Sequence, residues 1–267
     1  MKAARVLAIL FLSAVGISAL IPRVWTPKNY AAQFREDLDA RPSVRFPLGT
    51  DALGRDRLAR LLYGSRVSLT LAPAAALLSC VAAALIGGFA GLAGGWTERI
   101  VLAILDLFLS LPWLFLLLTV RACLPLNVSP VVSMAITFLL LGLLGWPASA
   151  RVVRAAITRF RDADFMLQAR AAGCTHWCLI SRQLVPNVMP VLLAQFWTTV
   201  PVFILAEATL GMLGLGVSEP LPSWGGMLRE IESGDVFSQP WIVAPVLLLA
   251  AVVDSFQLVL PRENYSV

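Results

Sequence analysis

The side chains that could do chemistry in this sequence are one Cys-x-His-x-Cys run and two acids inside apolar stretches. Cys174, His176 and Cys178 are common metal ligands, but only the two cysteines share a helical face and a structural zinc takes four ligands. Asp106 and Glu207 lie in apolar runs, where an ionisable group is costly and either pairs with another charge or carries protons. A proton relay needs a longer chain of such groups, so we interpret Asp106 as a structural cap or as the ion-pair partner of an arginine such as Arg99. For Glu207, contact with substrate and support of a helix end both stay open.

No motif in the sequence predicts catalysis. It contains no phosphate-binding G-x-x-x-x-G-K-[ST], no H-E-x-x-H, no G-x-S-x-G, and a single histidine. We therefore predict a protein that is not an enzyme and needs no cofactor or metal. If it moves a solute uphill, the energy must come from a partner.

The composition predicts an all-α membrane protein. Hydrophobic residues make up 58% of the chain, charged residues 14%, and the mean hydropathy is +0.80, which leaves too few charges to cover a soluble globule. Lipid is the expected surroundings. The net charge of +5 is modest and the arginines lie in loops beside apolar runs, so nucleic acid is not an expected partner.

Six apolar runs predict about six transmembrane helices. They divide the chain into an N-terminal anchor (1–21), an external loop with an interfacial helix over Ala52–Tyr63 (22–66), a five-helix core (67–260) and a short cytoplasmic tail (261–267). The predicted spans are 6–21, 67–90, 101–120, 131–150, 191–215 and 241–260. The external loop carries nine Lys or Arg residues, against two before the first span, which opposes the usual charge bias.

A polar island from Trp146 to Pro190 sets the orientation instead. It holds six arginines against two acids, and Arg-rich short loops stay in the cytoplasm. Apolar residues recur at three- and four-residue steps from Ser149 to Ala172, which predicts an amphipathic helix. Gly173 is placed to end it, and a second helix from Thr175 is predicted to stop at Pro186. Residues 151–190 are thus predicted to form a cytoplasmic helix pair that a partner binds.

Three glycines, Gly87, Gly91 and Gly95, follow one another at four-residue spacing near the end of the second predicted span. This spacing places small residues on one face of a helix and lets another backbone approach closely. We predict helix packing there.

The run LQARAAG, followed by Pro186, resembles the cytoplasmic loop of permease subunits of binding-protein-dependent ABC importers. The family pattern is Glu-Ala-Ala, three residues, Gly and then Leu-Pro. Leu167 stands at the Glu, Gln168 and Ala169 at the two alanines, Gly173 at the glycine and Val185-Pro186 at the Leu-Pro. The resemblance implies an ATPase-coupling loop, with the residues Phe165, Met166, Leu167, Gln168, Ala169, Arg170, Ala171, Ala172, Gly173 and Pro186.

Four further stretches resemble the C-type subunits of the dipeptide, oligopeptide and nickel group. They are FPLGTDALGRDRLARLLYGSRVSL (46–69), AGLAGGW (90–96), LAEATLGMLGLG (205–216) and PSWGGML (222–228). The resemblance implies the type I importer permease fold in a bacterial or archaeal plasma membrane. It also implies three partners: ATPase subunits, a second homologous permease subunit and an extracytoplasmic solute-binding protein.

Two other functions stay open at this stage. A proton-coupled carrier would use Asp106 and Glu207. A non-importing membrane scaffold or an export-type permease would bind a different partner through the 151–190 loop.

Overall fold

A computed structural model describes residues 2–233 and 236–259, and its regular elements are helices. Two isolated antiparallel bridges, Gln33 to Arg55 and Thr50 to Asp56, brace the irregular region before the third helix. The helices are α1 (Lys2–Leu20), α2 (Pro22–Trp25), α3 (Arg57–Ala93), α4 (Gly95–Ser110), α5 (Trp113–Cys123), α6 (Pro130–Leu144), α7 (Trp146–Arg161), α8 (Asp164–Ala171), α9 (His176–Cys178), α10 (Val185–Met212), α11 (Trp224–Ser233) and α12 (Ala244–Val259). The predicted tail, 261–267, lies outside the described residues.

Within the described ranges, five helices are long and apolar enough to cross a membrane, and six if a bent pair counts as one span. The five are Ala3–Leu20, Arg57–Ala93, Pro130–Arg161, His176–Met212 and Pro240–Val259. The bent pair is α4 with α5, whose axes differ by 81°. The sequence prediction of about six transmembrane helices in an all-α fold is confirmed, but the span predicted over 101–120 is not one straight helix. Pro112 lacks an amide hydrogen and holds Leu111 in an extended conformation, so the helix breaks there.

The surface helix predicted over 52–63 is wrong in its bounds. α3 begins at Arg57, because the Asp56 carboxylate accepts hydrogen bonds from the backbone amides of Leu58 (3.0 Å) and Ala59 (3.4 Å). From there the helix continues without a break to Ala93. Its first two turns therefore belong to a membrane-spanning helix, and residues 52–56 are not helical.

The polar island also differs from its prediction. The first predicted helix, 149–172, is two helices, because Ala163 is extended (φ −78°, ψ 151°) and separates α7 from α8. The second predicted helix does not stop at Pro186. A π-helical turn, Leu179–Leu184, precedes α10, and its wider ring lets the Val185 amide donate to the Ile180 carbonyl. α10 then runs through Pro186 to Met212.

The chain divides into two compact units. Unit 1 contains residues 1–73, 120–138 and 200–267, and unit 2 contains residues 74–119 and 139–199. In unit 1, α1 packs against α12, and α11 also contacts α12. In unit 2, α7 contacts both α4 and the π-helical turn, and α8 packs against that turn as well.

Candidate functional site

The short helix α8 is a part of the polar island that is exposed for a partner on one side. Met166 is its buried contact (2% exposed), and the rings of Phe165 and Phe160 lie 6.4 Å apart. Leu167 is 52% exposed, and Gln168, Arg170, Ala171 and Ala172 are exposed as well, whereas Ala169 is half-buried. One anchored side therefore leaves a mixed apolar and basic surface free on the other.

Gly173 ends α8 in a left-handed conformation, with φ +81°. The Gly173 amide donates to the Arg170 carbonyl (3.0 Å), and the Cys174 amide donates to the Ala169 carbonyl (3.1 Å). This pair of bonds is the Schellman arrangement, and glycine adopts the required backbone angles without steric cost. A Cβ at Gly173 would meet nothing within 4 Å, so the backbone angle rather than crowding calls for glycine here.

Cys174 and Cys178 follow Gly173, and neither is in a disulfide. Across the described ranges, no group of three or more His, Cys, Asp or Glu side chains is arranged to hold an ion. A hydrogen bond with Cys178, and secondarily burial, raises the pKa of the Cys174 thiol above its ordinary value. The thiolate form of Cys174 is therefore disfavoured.

α7 fits against the end of α3 through two of the three predicted packing glycines. A Cβ on Gly87 would lie 2.3 Å from the Ala150 carbonyl oxygen, and one on Gly91 would lie 2.9 Å from Ile157 Cγ2 and 3.0 Å from the Arg154 carbonyl oxygen. The structure places Gly95 elsewhere, at the start of α4 with φ +59° and nothing within 4 Å of a Cβ. α3 ends at Ala93, so Gly95 leaves the glycine face.

The apolar face of α7 packs on the start of α10. Val153 and Ile157 form a buried cluster with Leu184 and Val188, and Phe160 and Leu192 pack against its edge. Pro186 lies between Leu184 and Val188 in sequence, in the first turn of α10. Pro186 is therefore part of the continuous helix that supports α7, and not a stop.

Asp106 is in an ion pair with Arg151, and Glu98 is in an ion pair with Arg154. Both acids lie on α4 and both arginines on α7. Asp106 is 66% exposed in this chain, and its partner belongs to the polar island rather than to a second intramembrane acid. The sequence suggested an arginine such as Arg99 as the partner of Asp106, whereas the structure pairs Asp106 with Arg151.

Comparison with known proteins places the chain among transport proteins. Residues 83–263 match the family described as binding-protein-dependent transport system inner membrane component. The chain is 34% identical over 242 residues to a di/tripeptide transport system permease protein of Pseudomonas aeruginosa, with 88% of this chain and 77% of the relative covered. It is 30% identical to a dipeptide transport system permease protein of Bacillus subtilis (80% and 65% covered) and to a glutathione transport system permease protein of Pectobacterium atrosepticum (94% and 81%).

The chain belongs to this family. It is a multi-pass inner membrane permease component, which is a transport subunit and not an enzyme. The family implies ATPase and binding-protein partners. The resemblance noted in the sequence is thus confirmed at the level of the family.

A group of charges in unit 1 of the permease, buried or half-buried except for the exposed Glu219, was not foreseen from the sequence. This Arg60 cluster contains Asp51, Arg55, Arg57, Arg60, Glu219 and Glu230. Arg60 is fully buried, and its Nη2 lies 2.9 Å from Glu219 Oε1 and 3.2 Å from Glu230 Oε1. Arg55 Nε lies 2.6 Å from Asp51 Oδ2, and Arg57 Nη1 lies 3.0 Å from Glu230 Oε2. The cluster ties the start of α3 to α11 and to the loop before it.

Glu207 of the permease lies in the same unit and is also fully buried. The Ser68 hydroxyl donates to its Oε2 at 3.2 Å. One helical turn before Ser68, Ser65 accepts a hydrogen bond from the buried indole nitrogen of Trp224 at 3.0 Å. A Cβ on Gly225 would come within 2.7 Å of the Glu207 carbonyl oxygen. Glu207 therefore lies where α3, α10 and α11 pack closely, which favours its role in holding a helix end.

The pKa values of the two glutamates in the Arg60 cluster are shifted in opposite directions. Burial acts to raise the pKa of Glu219, but the hydrogen bond and charge of Arg60, with Arg55, outweigh it and hold that pKa below its ordinary value. Burial raises the pKa of Glu230 above its ordinary value, and the charges of Arg60 and Arg57 only partly oppose this. Ionised Glu219 is therefore favoured by folding, whereas ionised Glu230 is disfavoured.

Stability should follow pH accordingly. As pH falls from neutral, Glu230 protonates first. This removes a negative charge that is costly to bury, so the permease in detergent should become slightly more heat-stable. Further acidification, through the lowered pKa of Glu219, should remove the stabilisation that Glu219 supplies. Thermal unfolding across this range measures both steps. Glu230→Gln should abolish the first and Glu219→Gln the second. If the substitutions leave the dependence of thermal stability on pH unchanged, the two steps do not belong to Glu230 and Glu219.

Proposed function

We propose that this permease forms, with a second homologous permease subunit, the translocation path of an ATP-driven importer for peptide-like or other small solutes. ATPase subunits bind the α8 surface, and an extracytoplasmic solute-binding protein delivers the solute from the other side. Lipid surrounds the remaining faces of the spans. The partners follow from the family, and the substrate class follows from the names of the peptide and glutathione relatives.

The geometry of α8 is the observation that carries this proposal. A helix of eight residues, anchored by Met166 and ended by Gly173, presents Leu167 and Arg170 at its surface. An apolar side chain with one basic residue beside it suits a groove that has an apolar floor and an acid at its edge. The Leu at 167, where the family pattern has Glu, favours an apolar contact at that point of the groove.

The proposed mechanism uses rigid bodies. ATP closes the ATPase pair, which displaces α8, and the displacement passes to α7 and from there to the membrane helices that line the path. α7 is suited to pass it on because its packing against α3 at Gly87 and Gly91 leaves no space for it to move separately.

The test compares the wild type with Gly173→Val, each co-expressed with its neighbouring genes and purified in mild detergent. Valine is β-branched and strongly disfavours a positive φ. Holding it there costs on the order of 1–3 kcal/mol, so the end of α8 should rearrange. We expect the wild type to bring down an ATP-hydrolysing subunit and Gly173→Val to lose most of it.

Gly95→Val is the matched control. Gly95 also has a positive φ (+59°) and nothing within 4 Å of a Cβ, so the strain is comparable, but Gly95 does not belong to α8. It should retain the ATPase. If the wild type brings down no ATPase, the importer proposal fails, and a proton-coupled carrier or a non-importing scaffold becomes the better hypothesis. If both variants lose the ATPase equally, α8 is not the binding element.

A further inference from the structure

The contact between α4 and α7 combines an apolar surface, here called the seam, with two ion pairs at different positions along the helices. Leu105 of α4 is fully buried in a cluster with Ala83 and Ala150, and Val101, Leu102 and Trp146 pack against it. The rings of Phe108 and Trp146 lie 6.0 Å apart. Apolar contact is non-directional, so such a seam resists separation of the two helices far better than it resists sliding.

The two ion pairs resist sliding of the helices, which the apolar contact does not. Glu98 pairs with Arg154 and Asp106 with Arg151, so the order along α4 is reversed along α7 and the helices are antiparallel. Glu98 and Asp106 are about 12 Å apart along α4, whereas Arg151 and Arg154 are only about 4.5 Å apart along α7. The arginine side chains must therefore reach in opposite directions, and sliding either way would break one pair.

α7 is held along its length and ends next to the candidate ATPase-binding helix. Arg161, its last residue, donates from Nη1 to the Gly91 carbonyl oxygen at 3.0 Å. Only Asp162 and Ala163 separate it from α8. A force applied to α8 thus reaches α7 across two residues, and α7 is the helix that carries both arginines of the charge pairs.

We propose that Glu98 and Asp106 are positioning residues that make α4 move with α7 as one body, so that they carry the displacement of α8 into a membrane helix. The inference rests on the proposed function, since it takes α8 as the place where the ATPase acts. Glu98 and Arg154, 14% and 26% exposed, are more enclosed by protein than Asp106 and Arg151, 66% and 45% exposed, so their attraction is less screened. Glu98–Arg154 is therefore the pair with the larger effect.

The test measures ATP hydrolysis by the complete transporter in liposomes, with and without its binding protein. Glu98→Gln and Arg154→Gln should still bring down the ATPase and keep its basal rate. Stimulation by the binding protein should fall about fivefold or more, the usual size of a lost coupling between sites. The charge swap Glu98→Arg with Arg154→Glu should restore it. Arg99→Gln removes a neighbouring exposed charge of α4 that stacks over Trp96 and should leave stimulation unchanged.

A cross-link separates a rigid link from a sliding contact. Glu98→Cys with Arg154→Cys, introduced after replacing the four native cysteines and joined by a short bismaleimide, should keep stimulation near wild type. Loss of stimulation on cross-linking would overturn the proposal, as would normal stimulation in the single variants or failure of the swap to restore it. A wild-type complex without an ATPase would overturn the proposed function and this inference together. Failure of the swap in a complex that contains the ATPase overturns this inference alone.

Discussion

Arg60→Ala should destabilise the permease by roughly 1–3 kcal/mol, because it leaves buried carboxylate oxygens short of a charged partner. Arg60 is fully buried, and the side chains of Asp51 and Glu230 are only 4% and 21% exposed. Each keeps one other arginine, Arg55 for Asp51 and Arg57 for Glu230, but neither carboxylate can move far into water to replace the attraction of Arg60. The measurement is the thermal unfolding midpoint of the purified permease in detergent, at constant pH and salt.

Arg66→Ala is the matched control for Arg60→Ala. Arg66 is exposed on the same helix, and its truncation should change stability by no more than about 0.5 kcal/mol. Arg60→Lys separates charge from shape, since lysine keeps the charge but cannot bond two carboxylates with one planar group. Its thermal unfolding midpoint should fall between those of Arg60→Ala and Arg66→Ala. Equal midpoints for Arg60→Ala and Arg66→Ala would mean that Arg55 and Arg57 suffice to neutralise the acids.

Gly87→Ala should destabilise unit 2 by about 1–3 kcal/mol. The new Cβ would lie 2.3 Å from the carbonyl oxygen of Ala150 and 3.0 Å from its carbonyl carbon. These are backbone atoms of α7, so the steric clash can be relieved only by a shift of the whole helix and not by rotation of one side chain. The expected results are a lower thermal midpoint and weaker retention of the ATPase during purification.

Gly88→Ala provides a control one residue away on the same helix. Its Cβ would meet only Ile157 Cδ1, at the ordinary contact distance of 3.4 Å. Alanine also favours a helix interior over glycine by up to about 1 kcal/mol, so Gly88→Ala should be neutral or stabilising. If both substitutions behave alike, the close approach of α7 to α3 is not a constraint in the assembled transporter.

The sequence could predict the class of protein and most of its helices because those properties depend on local composition. Long apolar runs identify spans wherever their neighbours lie, since a lipid core is apolar on every side. The helix end at Gly173 could be predicted for a similar reason, because a helix end needs a particular backbone angle at one residue. The glycine face was only partly readable, since Gly95 has the right spacing but follows the end of α3.

The helix breaks were harder to predict. Pro112 bends the α4–α5 pair by 81°, whereas Pro186 passes through the first turn of α10. The two prolines look alike in sequence, and the difference comes from what surrounds each one. A π-helical turn packed against α7 and α8 makes room for Pro186. Ala163 breaks the island helix without any proline or glycine to mark the place.

What the sequence by itself determined is the number and type of spans, the basic loop between them and, through its motifs, the family. What only the tertiary structure decided is which charges meet. Nine basic residues in 22–66 looked like a conflict with the charge bias of membrane proteins, but Arg55 and Arg60 lie against Glu219, about 160 residues away. Ion pairs form between groups that the fold brings together, and no local sequence pattern predicts such distant partners. The pairs of Glu98 and Asp106 with α7 were decided in the same way.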